Sequence, residues 1–354
     1  MNGLPMDHLT NKFRGKGLTP APALLPSDNE QAVAALLAMC PAHIETPLVD
    51  AAELARICGV GKLWVKDERG RMGLGSFKAL GAAYVIACDA VATGAEDLGA
   101  ALQGVTYVTA SAGNHGMSVA AGARVFGAQA VIYLARTVPE SFAERLRAKG
   151  AQVIVEGEDY EASVAAAKSA ADAHGWVLLS DSSWPGYMDR PHRLMEGYLQ
   201  MAAEALDKCT PTHVFLQAGV GGLAGAVAAL VRKRLGDGPR IVVVEPQAAP
   251  ALIESIRAGH FVTTTGPVSV MGRLDCKEAS LIALAGLARD ADDFVTIPEQ
   301  MAIDAGPILA AQGLAGSESG LAGIAALMNL GDLKSPLAIG PESRVLCFLS
   351  EGVA

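Results

Sequence analysis

The chain has 354 residues, 51% of them apolar, with 39 glycines and a formal net charge of −9. That is enough apolar chain for two lobes with buried cores, and it excludes a disordered or collagen-like polymer. The acidic balance, with lysines and arginines scattered, offers no basic footprint, so nucleic acid is not an expected partner.

Residues 1–17 carry His8, Lys12, Arg14 and Lys16 but no apolar core, which does not read as a secretory signal. The first predicted strand covers 63–66. Beyond it lies Gly73-Leu74-Gly75-Ser76-Phe77-Lys78-Ala79-Leu80-Gly81-Ala82. Lys78, flanked by an aromatic and small residues at the start of an apolar helical stretch, is badly placed for a surface lysine and well placed to form a Schiff base. Partial burial favours the neutral amine, the form that attacks an aldehyde.

A strand at 106–109 leads into Thr109-Ala110-Ser111-Ala112-Gly113-Asn114-His115-Gly116 and a helix over 116–126. Backbone N–H groups at the positive end of that helix suit a carboxylate. The Asn114 amide can donate to a phenolic or carbonyl oxygen, and Gly113 and Gly116 permit close approach of a ligand. Strands at 130–134, 152–155 and 176–179 then alternate with helices at 142–149 and 160–174. After a helix over 194–206 and a strand at 212–216 comes Gln217-Ala218-Gly219-Val220-Gly221-Gly222-Leu223-Ala224-Gly225, opening a helix over 222–234. Successive N–H groups in such a loop can wrap a phosphate. Strands at 241–245 and 344–349 complete the pattern.

Continuously apolar strands alternating with helices predict an α/β fold of two lobes, each with a mainly parallel sheet flanked by helices. Joints near Gly81 and at Pro185-Gly186 set off residues 82–187 as a small inserted α/β domain. Residues 1–81 and 188–354 form the large cofactor-binding domain. Six dispersed cysteines read as free thiols in a reducing cytoplasm. No uncharged apolar run reaches membrane-spanning length. His43, His174, His192, His213 and His260 lack metal-ligand spacing.

The glycine loop admits a rival. Gly219-x-Gly221-x-x-Ala224 fits a relaxed dinucleotide fingerprint, and Glu245 ends the next strand where a ribose-binding acid would stand. A nicotinamide-dependent dehydrogenase is therefore an alternative, although it leaves Lys78 and the Asn114 loop without roles. A phosphate loop, a Schiff-base lysine and a carboxylate-binding loop together describe a pyridoxal phosphate site.

With these residues in place, the chain resembles the fold type II pyridoxal-phosphate enzymes, the tryptophan-synthase-β-like group. Within that group it is most similar to the diaminopropionate ammonia-lyases, with threonine/serine dehydratase features. An ordered set of segments carries the resemblance: Thr46-Pro47-Leu48, Val65-Lys66-Asp67-Glu68, Gly75-Ser76-Phe77-Lys78, Gly113-Asn114-His115-Gly116, Ser180-Asp181-Ser182-Ser183-Trp184-Pro185-Gly186-Tyr187, the Gly219 loop, Val244-Glu245-Pro246, Gly316-Ser317-Glu318-Ser319-Gly320 and Leu349-Ser350-Glu351-Gly352.

The resemblance implies pyridoxal 5'-phosphate as cofactor, a small amino acid as substrate and a homodimer. Lys78 would be the Schiff base and the base at the substrate Cα. Asp181 would assist the departing group, its other reading being an N-cap for the following helix. Phe77 would pack beside the ring, and Asn114 would contact the ring hydroxyl. Gly219, Val220, Gly221, Gly222 and Leu223 would hold the phosphate. Ser111, Ala112, Gly113 and His115 would form the substrate loop, Ser111 and Gly113 seating the carboxylate and His115 fixing the backbone. Ser350 would face the pyridine nitrogen. A serine is too weak an acid to keep the ring protonated, which favours β-elimination over transamination.

Three departures qualify what the resemblance implies. Ala112 stands where the ammonia-lyases carry an aspartate assigned to proton abstraction from the D-substrate. A methyl takes no proton, so L-substrates are expected. Ala251 replaces the second carboxylate of a divalent-cation site that Glu245 would otherwise share, and no metal is expected. Ala251 also stands where Cys276 would find a disulfide partner, so no bridge is expected. Lys66, Asp67 and Glu68 are expected to form a solvated or ion-paired cluster beside the site. The predicted activity is β-elimination from an L-amino acid bearing a β-amino or β-hydroxyl group, with release of ammonia and a 2-oxo acid. The alternatives are a dehydratase of β-hydroxy amino acids, a β-replacement synthase, a non-catalytic cofactor carrier and the dehydrogenase.

Overall fold

A computed structural model describes residues 5–19 and 24–353. Eleven strands lie among the described residues: β1 (Asp7–Thr10), β2 (Leu48–Asp50), β3 (Lys62–Asp67), β4 (Thr106–Ala110), β5 (Gln129–Leu134), β6 (Gln152–Val155), β7 (Val177–Leu178), β8 (His213–Gln217), β9 (Arg240–Pro246), β10 (Asp293–Ile297) and β11 (Arg344–Leu349). Seven form one sheet in the order β1-β10-β9-β8-β11-β3-β2, and four form a second in the order β6-β5-β4-β7. The four-stranded sheet is wholly parallel. In the seven-stranded sheet only the edge strands β1 and β2 run antiparallel to their neighbours.

Period-two alternation explains how both faces of the large sheet are buried. Along β8, β9 and β11, Val214, Leu216, Ile241, Val243, Leu346 and Phe348 enter one apolar cluster. Their neighbours Phe215, Val242, Val244, Val345, Cys347 and Leu349 enter another on the opposite face. The small sheet divides in the same way, with Tyr107, Ile132 and Leu134 on one side and Val108, Val131 and Tyr133 on the other. The first cluster is shared between the lobes: it continues from Ile132 and Val119 through Leu80 and Ile86 to Leu194 and Leu216. Helix Ala79–Ala92 therefore packs on the small-lobe helix Asn114–Val125 and the large-lobe helix Asp189–Gly197 together. Gly197 allows that approach, since a Cβ there would lie 2.2 Å from the Leu80 carbonyl oxygen.

All eight predicted strands are present, with ends shifted by a residue or two. β1, β2 and β10 were not predicted. β10 contains Asp293, whose carboxylate is completely buried and accepts from His8 and Arg240 at 2.8 and 2.6 Å. Those partners are remote in sequence, so nothing local marks this acid as a strand residue. The predicted helix 194–206 is two helices, Asp189–Gly197 and Leu199–Leu206, meeting at Tyr198. Among the described residues no helix is long and apolar enough to cross a membrane.

The cluster around Lys66 and Glu68 is ion-paired but not solvated. Lys66, Glu68 and Arg71 are fully buried, and Glu204 on helix Leu199–Leu206 is nearly so. Lys66 Nζ bonds Glu204 Oε2 at 2.5 Å and the Thr46 carbonyl at 2.6 Å. Arg71 bonds both oxygens of Glu68 at 2.8 Å, and both oxygens of Glu204 at 2.9 and 2.7 Å. Thr46 Oγ1 donates to Glu68 and accepts from Arg71. Two cations face two carboxylates, and each charge has several hydrogen bonds, which is the condition for burying them. Asp67 lies outside this set and pairs with Arg69.

Candidate active site

Lys78 stands at the N-terminus of helix Ala79–Ala92, directly after the turn that follows β3. Two contacts between the turn and the end of β11 hold it there. The Phe77 amide donates to the Ser350 carbonyl at 3.0 Å, and Ser76 forms a bridge with Glu351. The Lys78 ammonium lies 5.2 Å from the centre of the Phe77 ring and 5.8 Å from that of Tyr198. The two rings are themselves 4.8 Å apart.

Lys78 Nζ meets Asp181 Oδ2 at 2.5 Å, with the side chains 21% and 19% exposed. Burial alone would push the amine towards neutrality. The Asp181 carboxylate outweighs it and holds the amine above its ordinary range. Burial likewise pushes Asp181 up, and Lys78, with His115, brings it well below. The expectation of a neutral Lys78 is thus corrected: the lysine is an ammonium in an ion pair, because its counter-ion comes from a loop 103 residues away. Asp181 is not an N-cap, since the next helix begins at Asp189 and is capped by Met188.

The Ser111–Gly116 loop opens helix Asn114–Val125, with Gly113 as its N-cap. Ser111 Oγ accepts from the Gly113 and Gly116 amides at 3.2 and 3.1 Å. His115 Nε2 bonds the Leu179 carbonyl at 2.8 Å, tying this loop to the segment carrying Asp181. Burial holds the imidazole below its ordinary pKa. Ala112 is half-buried. Asn114 Nδ2 donates to Glu351 Oε2 at 2.5 Å.

Gly219 to Leu223 form the turn between β8 and helix Gly222–Leu235. Gly221 is the N-cap, with φ of 95°, a left-handed conformation that favours glycine. A Cβ on Gly219 would lie 3.0 Å from both Cys276 Sγ and Leu274 Cα. The first amides of a helix have no partner within it, so an anion at this N-terminus can accept from them. Burial pushes the Cys276 thiol up to about 12, so it is no nucleophile at neutral pH. All six cysteines are free thiols.

Three residues of the site carried no sequence signal that assigned them a role. Glu351 is buried, accepts from Ser317 and Asn114, and lies 3.2 Å from Arg273 Nη1. Burial raises its carboxyl, and Arg273, Ser317, Lys78 and Asn114 offset part of that rise. It adjoins Ser350 in a noticed segment, which is the one clue available. Arg273 lies in a stretch with no periodicity, and Tyr198 falls within a predicted helix with nothing beside it to mark a role.

Glu245 is not available to a ribose or a cation. It is completely buried, and its two oxygens accept from the Leu252 and Ile253 amides at 2.7 Å each, closing the N-terminus of helix Ala251–Ala258. The dinucleotide reading thereby loses its acid. Among the described residues no group of three or more His, Cys, Asp or Glu is placed to hold a metal. Burial outweighs the two backbone donors and raises Glu245 from 4.5 to about 8. A carboxyl raised in the folded state binds a proton that the unfolded chain has released. Its contribution to stability is therefore full below pH 4.5 and declines as pH rises to about 8. Urea unfolding at pH 5, 6.5 and 8 is expected to show that decline, and Glu245→Gln to flatten it.

The residues present fit pyridoxal phosphate. Cys276 neighbours both Lys78 and Gly219, which places an amine and a glycine turn at a helix N-terminus in one site. In line with that fit, residues 39–351 match the model of the pyridoxal-phosphate dependent enzyme family. The chain is 31% identical to a diaminopropionate ammonia-lyase of Salmonella typhimurium, over 95% of this chain and 92% of that protein. It is 27% identical to an L-threonine ammonia-lyase of Thermotoga maritima, over 82% and 68% of the two. Among solved structures it is similar to the diaminopropionate ammonia lyase of Escherichia coli in complex with D-serine. That match has a TM-score of 0.89 and 29% identity, covering 99% of this chain and 94% of the other.

Proposed function

Since the chain belongs to the pyridoxal-phosphate-dependent enzyme family and its cofactor is pyridoxal phosphate, we propose that it is a lyase acting on an L-amino acid with a β-amino or β-hydroxyl group. It releases ammonia and a 2-oxo acid. The observation that carries this reading is the Lys78–Asp181 pair beside the Phe77 ring, with His115 tying the Asn114 loop to the segment that carries Asp181. Lys78 holds the cofactor, the first amides from Gly219 to Leu223 hold its phosphate, and Phe77, Asn114 and Ser350 bound its ring. Bound there, the cofactor supplies an electron sink for the substrate Cα.

The protein's own groups handle the protons. Lys78 would return to the site as a neutral amine when the substrate amine displaces it from the cofactor, and it is then the base at Cα, with Asp181 Oδ2, hydrogen-bonded to Nζ, stabilising the ammonium that results. The proton gained from Cα is then the one that the departing β-amino or β-hydroxyl group requires, passed from Lys78 Nζ by way of the Asp181 contact. Ala112 presents a methyl beside Gly113, so the substrate loop offers no carboxylate base at that position. The β-hydroxy amino acids form a second reading favoured by this residue. The same proposal includes the division into residues 82–187 and 1–81 with 188–354, a homodimer and a cytoplasmic location. Its support is the separate sheet of β4 to β7 and the set of free thiols.

The test is a panel of L- and D-diaminopropionate, serine, threonine and hydroxyaspartate, scored for ammonia and oxo-acid release. At least one L-substrate is expected to turn over, with its D-isomer slower by about 10²-fold or more, the effect of one absent general base. Equal rates for L- and D-diaminopropionate would refute the role given to Ala112.

A further inference from the structure

Residues 261–280 form no helix or strand, yet their backbone is fixed against the site. The Arg273 amide donates to Ser319 Oγ at 3.0 Å. Its carbonyl oxygen lies 3.2 Å from the position of a Cβ on Gly219. From this anchor beside the glycine loop, the side chain reaches across to the substrate loop. Nη1 is 3.2 Å from Glu351 Oε1, and Nε is 3.8 Å from the position of a Cβ on Gly113. Nε is buried and has no acceptor.

The surrounding loop supplies none. Ala112 has only a methyl, the Ser111 hydroxyl faces the Gly113 and Gly116 amides, and His115 is bonded to Leu179. A buried N–H without a partner is costly, and the cost disappears if a ligand brings the acceptor. The Gly113 and Gly116 amides are already engaged, so a carboxylate at this loop takes its side-chain donor from elsewhere.

We infer that Arg273 binds the α-carboxylate of the substrate and determines selection of amino acids over amines. This deepens the lyase reading and rests on it. The carboxylate lies between the guanidinium and the first-turn amides of helix Asn114–Val125, where opposite charge is favoured from both sides. Glu351 turns the guanidinium by engaging Nη1, which leaves Nε for the ligand.

The experiment measures calorimetric affinity of the cofactor-loaded protein for glycine, which has no β group to lose, and for methylamine, which lacks the carboxylate. Arg273→Gln is expected to weaken glycine by about 10- to 100-fold, the worth of a charge-assisted hydrogen bond. Methylamine affinity and cofactor content stay unchanged, and Arg273→Lys restores part of the loss. Glycine affinity within twofold of wild type would overturn the inference, as would equal weakening of glycine and methylamine. Glycine binding does not depend on turnover. Absent ammonia release with intact Arg273-dependent binding would thus count against the lyase reading alone.

Discussion

Replacing Lys78 by alanine is expected to lower ammonia release from the preferred substrate by about 10⁴-fold and to abolish the visible absorbance of the cofactor-loaded protein. The substitution removes the amine that holds the cofactor and the base at Cα in one step. It also leaves Asp181 part-buried without the ammonium that holds its carboxyl down, so some loss of stability accompanies the loss of chemistry. Lys78→Arg separates the two effects. A guanidinium keeps a positive charge near Asp181 but does not deprotonate to a nucleophilic amine. The arginine variant is expected to unfold within about 1 kcal/mol of wild type, the range of a conserved partly exposed ion pair, and to be as inactive as the alanine variant. Full activity in Lys78→Arg would remove the basis of the proposed mechanism.

The parts of the site that were legible in the sequence are those where local chain chemistry suffices. Lys78 between Phe77 and a run of small residues, the Ser111–Gly116 turn and the Gly219–Leu223 turn each declare themselves within ten residues. The strands of the large sheet were legible for the same reason, because alternate residues such as Val214 and Phe215 had to serve two apolar faces. What escaped is chemistry made by distant partners. The charge state of Lys78 was misjudged because burial can be inferred from neighbours, whereas Asp181 arrives from a loop in the other lobe. Arg273 offered no clue, since the backbone that positions it is held by Ser319 and the Gly219 turn and not by any periodic element. Glu351 was visible beside Ser350, but its role depends on Asn114, 237 residues away.

The buried network behind the lysine turn yields the largest expected change in stability. Glu204 accepts from Lys66 and Arg71. Burial works against its charge, and Arg71 with Lys66 prevails, lowering it from 4.5 to about 2. Glu204→Ala would leave two fully buried cations facing Glu68 alone. Breaking a buried pair from one side costs about 3–5 kcal/mol, far more than losing a surface pair. The urea midpoint at pH 7 is expected to fall accordingly, and Glu204→Gln to lose less because its amide oxygen still accepts. The acid limb gives a second signature. A carboxyl depressed by folding contributes fully above pH 4.5, and that contribution is lost as pH falls towards 2. The alanine variant should show a shallower decline over that interval. The consequence reaches the site through the chain itself. Arg71 also bonds the Ile44 carbonyl at 3.1 Å, and the next residue, Met72, is held at a φ of 49°, an uncommon conformation for a residue with a side chain. Without Glu204 the strained turn that delivers Lys78 loses part of its support. Cofactor affinity in Glu204→Ala is therefore expected to fall together with the urea midpoint, whereas a network that merely fills the core would change the midpoint alone.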